Sequence, residues 1–194
     1  MQYYQELTLL PDYEMSINFL WSKLYQKLHL LLVTSKNARN ENVGVSFPQY
    51  TYNDEKMIPQ LGSKLRLFAV KKEELDNLAL KEELKVYKDY IHITSVRRIP
   101  GNCHEYAIYK RYHVEGSIVQ KARRYAKRHG ILYEEALSLF PMDKRGRELP
   151  FIRIKSCTNS NVFRLYIQKK NTTVQVTDEF NSYGLSDRAS VPEF

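Results

Sequence analysis

The sequence predicts an α+β protein: an N-terminal ferredoxin-like βαββαβ domain, then a smaller α+β region with an arginine-rich helix. Three observations predict it. Strand and helix periodicities alternate through the first half in that order. The second half changes to short extended segments around one basic amphipathic stretch. Between the halves lies a charge shift marked by Pro100-Gly101. The boundary therefore falls so that residues 1–97 form the ferredoxin-like domain and residues 98–194 the C-terminal region.

Tyr3–Leu9 alternates as a strand, with Leu7 and Leu9 on one side and Glu6 and Thr8 on the other, until Pro11-Asp12 breaks it. Ser16 is a suitable N-cap for a long amphipathic helix whose apolar stripe is Ile17, Leu20, Trp21, Leu24, Leu28, Leu31 and Leu32. A polar loop over 35–42 leads to a strand at Val43–Phe47, stopped by Pro48. Lys64–Val70 is the next strand, Lys71–Leu84 the second helix and Val86–Val96 a further strand. In the second half, Glu105–His113 is extended and rich in tyrosine. A basic helix follows at Ser117–His129, with Gly130 as its C-cap. A short helix runs to Phe140, then Phe151–Lys155, Asn161–Lys169 and Thr173–Thr177 are short strands before an irregular tail.

The chain has 194 residues, 43% of them hydrophobic, enough to bury a core and incompatible with a disordered tail protein. Its longest apolar run, Leu30–Val33, is far too short for a membrane span. The opening MQYYQELTLLPDYE has no basic n-region ahead of an apolar stretch, so no secretory signal is expected. Cys103 and Cys157 lack metal-type spacing and read as free thiols of a cytoplasmic protein. Charge is more informative. The net +8 sits wholly beyond Ser95: Met1–Ser95 has twelve basic and twelve acidic residues, Val96–Phe194 eighteen and ten. Such a local surplus concentrates polyanions and is the footprint expected of nucleic-acid binding.

The basic helix sharpens this. At about 100° per residue, Ile118, Val119, Ala122, Tyr125, Ala126 and His129 share one face. Lys121, Arg123, Arg124, Lys127 and Arg128 share the other, with Gln120 among them. Like charges three and four apart repel by a few tenths of a kcal/mol per pair, and a helix needing only solubility would interleave acids. The arginines are suited to bidentate contacts with phosphate or guanine. Arg111 and His113, two apart on a strand, project to one side, where they could read neighbouring bases or simply form an ordinary strand face. His29 falls opposite Leu20 on its helix, off the core face, so it is expected to be solvated. An accessible imidazole is also what general acid–base chemistry requires. No zinc arrangement, phosphate loop, GxSxG elbow or carboxylate cluster is present.

Several patterns converge. The opening strand ends in Leu-Pro-Asp; His29 stands in KLH; VGVSFP spans Val43–Pro48; RRYAKRH spans Arg123–His129. LPFIRIKS, NVFRLYI and SYGLS, followed by VPEF, complete the series. In this combination, end to end, the chain resembles the CRISPR repeat-RNA endoribonucleases of the type I-F (Csy) systems, which cut precursor CRISPR RNA at hairpin repeats.

The resemblance implies roles position by position. The family's catalytic histidine falls on His29, its catalytic serine on Ser156 and its active-site tyrosine on Tyr183. The aromatic that stacks on the terminal base pair falls on Phe163. The groove-binding arginines fall on Arg123, Arg124 and Arg128, with Lys127 beside them, and the arginine reading the guanine at the cut falls on Arg111. Where the family often has a glutamine two residues on, to read an adenine, this sequence has His113. The second hydroxyl near the serine becomes Thr158.

The implied chemistry suits these residue types. RNA carries its own nucleophile, the 2′-hydroxyl, so neither metal nor cofactor is implied, and the protein supplies geometry, proton transfer and charge stabilisation. The products would be a 2′,3′-cyclic phosphate and a 5′-hydroxyl. The resemblance further implies that the product hairpin is retained, that the partners are repeat RNA and other effector-complex subunits, and that the chain alone is monomeric, with no membrane partner. Two other classes fit the same basic surface: a non-catalytic hairpin-binding structural subunit, and a generic ferredoxin-like RNA- or DNA-binding module.

Overall fold

The computed structural model describes residues 1–52, 59–112, 118–140, 149–156 and 161–194, with 118–120 described as backbone only. It is α+β, with two antiparallel sheets.

The first half builds one sheet. Its elements are β1 (Tyr3–Leu9), α1 (Ile17–Arg39), β2 (Gly44–Ser46), β3 (Lys64–Ala69), α2 (Lys72–Asp76), α3 (Leu80–Glu83), β4 (Ile91–Ile93) and β5 (Arg97–Arg98). The strand order is β2-β3-β1-β4, every pair antiparallel, and β5 pairs Tyr3 and Tyr4 of β1. β1 alternates as its sequence demands: Leu7 and Leu9 are buried while Glu6 stays on the other face. There the Glu6 carboxylate accepts from Lys64 Nζ at 2.8 Å and Arg66 Nε at 2.7 Å across the β1–β3 register. α1 starts at Ser16, whose Oγ accepts from the Phe19 amide, and ends at Asn40 in the left-handed region, φ 53°. Its buried stripe is Leu20, Trp21, Leu24, Tyr25, Leu28 and Leu32.

The second half adds β6 (Glu105–Tyr112), α4 (Ile118–His129), α5 (Tyr133–Ser138), β7 (Phe151–Lys155), β8 (Val162–Thr172) and β9 (Val191–Glu193). The order is β7-β8-β6-β9, again antiparallel. One continuous core joins Leu24, Leu28, Phe47 and Leu67 to Tyr109, Ile152, Leu165 and Leu185. α4 and α5 form a separate helical hairpin over Ala122, Ala126 and Ala136. No helix among the described residues is long and apolar enough to cross a membrane.

Several expected elements differ. The second helix is two short ones, interrupted where Ala79 adopts φ 46°. Val86–Val96 holds a 3-10 turn (Lys85–Tyr87) before the three-residue β4. Thr173–Thr177 is not a strand, because β8 itself runs on to Thr172. The tail is largely irregular, as expected, but it is packed rather than loose. Phe180, Leu185, Ala189 and Val191 are buried, and β9 pairs with β6. Lys169 Nζ donates to Glu193 Oε2 at 2.6 Å, and Arg66 donates to the Phe194 carbonyl, fixing the last residues to both sheets.

Candidate functional site

The packed tail makes the site. Asn181 folds residues 181–185 into a turn: its Oδ1 accepts from the Tyr183 amide at 2.8 Å, and its carbonyl accepts from the Gly184 amide at 2.9 Å. The turn is clamped from two sides. The Val45 amide of β2 donates to the Gly184 carbonyl at 2.9 Å. The Tyr25 hydroxyl of α1 donates to the Tyr183 carbonyl at 2.8 Å, and burial, with Tyr183 nearby, pushes the Tyr25 phenol up, so it stays a donor. Gly184 has φ +70°, and a Cβ there would stand 2.6 Å from Val45 Cγ1, so both conformation and space require glycine. Gly44 is similarly crowded: a Cβ would meet the Phe180 ring at 2.6 Å. The segments VGVSFP and SYGLS therefore pack against one another.

This turn lies on His29. The His29 ring is half-buried, with Nδ1 2.8 Å from the Ser182 carbonyl. It stacks on Tyr183 with centroids 4.1 Å apart and planes 10° from parallel. The expectation of a solvated His29 is thus corrected: the helix's own face does turn it away from the core, but the C-terminal turn comes over to cover it. A carbonyl only accepts, so Nδ1 carries a proton in either charge state, and Nε2 is the nitrogen that gains or loses one. No partner for Nε2 occurs among the described residues.

Arg111 on β6 continues the series. Its guanidinium lies 5.5 Å from the Tyr183 ring centroid and 5.3 Å from that of Phe163 on β8. His29, Tyr183, Arg111 and Phe163 are thereby contiguous. Ser156 follows the last residue of β7, half-buried, its amide donating to the Asn161 carbonyl at 2.8 Å. It is two residues beyond Ile154, the cross-strand partner of Phe163.

On α4, Arg123, Arg124, Lys127 and Arg128 are exposed, and no carboxylate of the described residues lies within ion-pair distance of them. Lys121 is half-buried over the Phe140 ring at 6.0 Å, and Arg123 sits over Tyr133 at 5.9 Å. Gly130 at φ +65° ends the helix as a left-handed cap. His113 and Thr158 lie outside the described residues, as does the Gln120 side chain. Sequence reasoning missed Tyr25 and the Ser182 carbonyl. The signal for Tyr25 was available: a tyrosine on the buried stripe of α1 needs a partner for its hydroxyl.

These features define an α+β protein that fixes one imidazole beside a cationic and aromatic surface suited to a polyanion. The chain matches the description "CRISPR-associated protein (Cas_Csy4)" over residues 4–194, and it belongs to that family. Over the full length of both chains it is 31% identical to the "CRISPR-associated endonuclease Cas6/Csy4" of Escherichia coli (strain UTI89 / UPEC). It is 32% identical, again over the full length of both, to the protein of the same name from Pseudomonas aeruginosa (strain UCBPP-PA14).

Proposed function

We propose that this chain is an endonuclease of precursor CRISPR RNA, which binds the repeat hairpin and cuts at the base of its stem by 2′-hydroxyl attack without a metal. The observation that carries this reading is the seat of His29: Nδ1 is committed to the Ser182 carbonyl and the ring is held flat on Tyr183. That arrangement leaves Nε2 as a positioned proton-transfer group. The names of the full-length relatives support the substrate class.

In the reaction the ribose 2′-oxygen attacks the adjacent phosphorus, forming the 2′,3′-cyclic phosphate as the bond to the 5′-oxygen breaks. The proton leaving the 2′-hydroxyl is balanced by one arriving on the 5′-oxygen, and His29 Nε2 moves one of these. Ser156 holds the attacking 2′-oxygen, Tyr183 orients His29, and Arg111 reads the guanine beside the cut. Phe163 stacks on the last base pair, while Arg123, Arg124, Lys127 and Arg128, with Lys121 and Gln120, line the stem phosphates. His113 and Thr158 add contacts at the neighbouring base and at the serine.

We read the first sheet as the split βαββαβ arrangement, supported by its order β2-β3-β1-β4 with helices at both crossovers. Residues 1–97 then carry the catalytic histidine and 98–194 the recognition surface. The protein acts in the cytoplasm, alone as a monomer, before joining other effector subunits.

The test is incubation of the purified protein with a hairpin repeat RNA in excess EDTA. Cleavage to a 5′-hydroxyl product is expected. Tight binding without cleavage would instead identify a structural subunit, and no preference for the hairpin over random RNA or DNA a generic module.

A further inference from the structure

We propose that the groove between the first turns of α1 and the outward face of β7–β8 binds the single-stranded RNA on the 3′ side of the cut. This rests on the endonuclease reading above.

The groove encloses about 440 Å³ and includes Asn18 and Ser22 of α1 with Phe151 and Arg153 of β7. β7 turns Ile152 and Ile154 into the core and Phe151, Arg153 and Lys155 outward. In the β7–β8 register Arg153 stands directly opposite Arg164, a like-charge pair that costs the sheet stability. A face serving only solubility would carry an acid at one of these positions. Among the described residues no carboxylate lies within ion-pair distance of Arg153, Lys155 or Arg164. Arg164 also lies over the Phe151 ring, 4.7 Å from its centroid. Cations without counter-charges, a flat aromatic face and neutral hydrogen-bonding side chains are the composition that tracks single-stranded nucleic acid.

Position selects which strand. Asn18 and Ser22 precede His29 by eleven and seven residues, which puts all three on one row of α1, Ser22 about 10 Å from His29 along the axis. On the other wall, Arg153 of β7 is three residues, about 10 Å of extended chain, from Ser156, which follows the strand. Both walls therefore lead to the two groups assigned to the reaction. Phe163 and Arg164 are consecutive in β8 and point to opposite faces. The stem rests on the Phe163 side, and the strand continuing past the scissile phosphate meets the Arg164 side.

The experiment measures binding of an uncleavable hairpin, 2′-deoxy at the cut, in three forms. It carries one nucleotide beyond the cut (the tailless form), a six-nucleotide 3′ tail, or one nucleotide beyond the cut together with a six-nucleotide 5′ extension. For the unaltered protein the 3′ tail should tighten binding three- to tenfold and steepen the salt dependence by about 0.7 per phosphate contacted. Arg153→Ala/Arg164→Ala should lose that gain and bind the tailless hairpin as before. Arg153→Glu places an acid opposite Arg164, so the sheet should be at least as stable while the tail ceases to help. Indifference to the tail, a gain from the 5′ extension instead, or equal loss with and without the tail in the variants would each overturn the proposal. If the ribose version of the tailless hairpin is cleaved but the tail has no effect, only this inference fails. If the tailless hairpin is neither bound nor cut, the endonuclease reading fails and this one with it.

Discussion

His29 and Tyr183 stack face to face across 154 positions of chain, 4.1 Å between centroids, while the adjoining Ser182 carbonyl accepts a hydrogen bond from Nδ1 at 2.8 Å. The imidazole is thus held by two contacts, both from the same C-terminal turn, and neither can move without the other. If this seat prepares Nε2 for proton transfer, His29→Ala should slow cleavage by roughly 10²–10⁴-fold and leave hairpin affinity nearly unchanged. Affinity falling in step with rate would make His29 a binding residue. Ser156→Ala should behave similarly with a smaller loss. Tyr183→Phe keeps the stack and should stay close to the unaltered rate. Tyr183→Ala removes an aromatic contact worth about 0.5–1.5 kcal/mol, hence up to about tenfold in rate.

Gly184 should be as damaging to alter as the residues it positions. At φ +70° with Val45 Cγ1 in the way, Gly184→Ala is both strained and crowded. We expect a loss of about 1–3 kcal/mol in stability, measured by thermal or urea unfolding. Because the same turn presents Ser182 and Tyr183, the folded fraction should also cleave more slowly than the unaltered protein. Full activity per folded molecule would show that the turn does not position His29.

Legibility in the sequence follows the range of the interaction. α1 was readable because its stripe repeats at helical spacing and Ser16 caps it. The break at Ala79 was not, since an alanine at positive φ is disfavoured locally and only the surrounding fold enforces it. The solvated His29 failed for the same reason: a helical wheel knows one helix, and the covering residue comes from the far end of the chain. The tail read as irregular because its buried residues, Phe180, Leu185, Ala189 and Val191, follow no period. His29, Ser156 and Tyr183 could be named together only through the motifs KLH, LPFIRIKS and SYGLS; the contact between His29 and the Ser182 carbonyl had no local trace.

Acid should weaken the first sheet through Glu6. Burial raises its carboxyl, but hydrogen bonds from Lys64 and Arg66 and their charges outweigh that, and the net shift is below the ordinary carboxylate value. A lowered folded value means the stabilisation is complete above the ordinary range and disappears as pH falls through the folded one. Glu6→Gln should therefore lower the melting temperature at neutral pH. The gap to the unaltered protein should narrow as pH falls below the ordinary carboxylate range and close once pH is below the folded value. A gap independent of pH would indicate lost packing rather than lost charge.

The exposed cations of α4 should set the salt dependence of hairpin binding. Removing Arg123, Arg124 and Arg128 together should weaken binding and flatten the plot of log affinity against log salt, by about 0.7–0.9 per phosphate contact removed. An unchanged slope in the triple variant would return the helix to a merely solvated face.

Product release follows from the same surface. Under the function proposed above, the hairpin would keep its phosphates against α4 and its last base pair against Phe163 after the cut, so the groups that bind substrate would bind product too. Only contacts to the strand beyond the cut are given up. Binding shared by substrate and product lowers the dissociation constant without helping turnover. The enzyme should accordingly run close to a single turnover and keep its product as a cap on the 3′ end of the CRISPR RNA. Phe163 is already braced by Arg111 on one side and half-buried against the core, so it offers a rigid platform. Phe163→Ala should loosen substrate and product together, by about 1–3 kcal/mol, and so raise turnover at saturating RNA. The decisive measurement is product formed against enzyme present with hairpin RNA in tenfold excess. A burst stopping near one equivalent, released in the Phe163 variant, agrees with the argument; steady multiple turnover by the unaltered protein would defeat it.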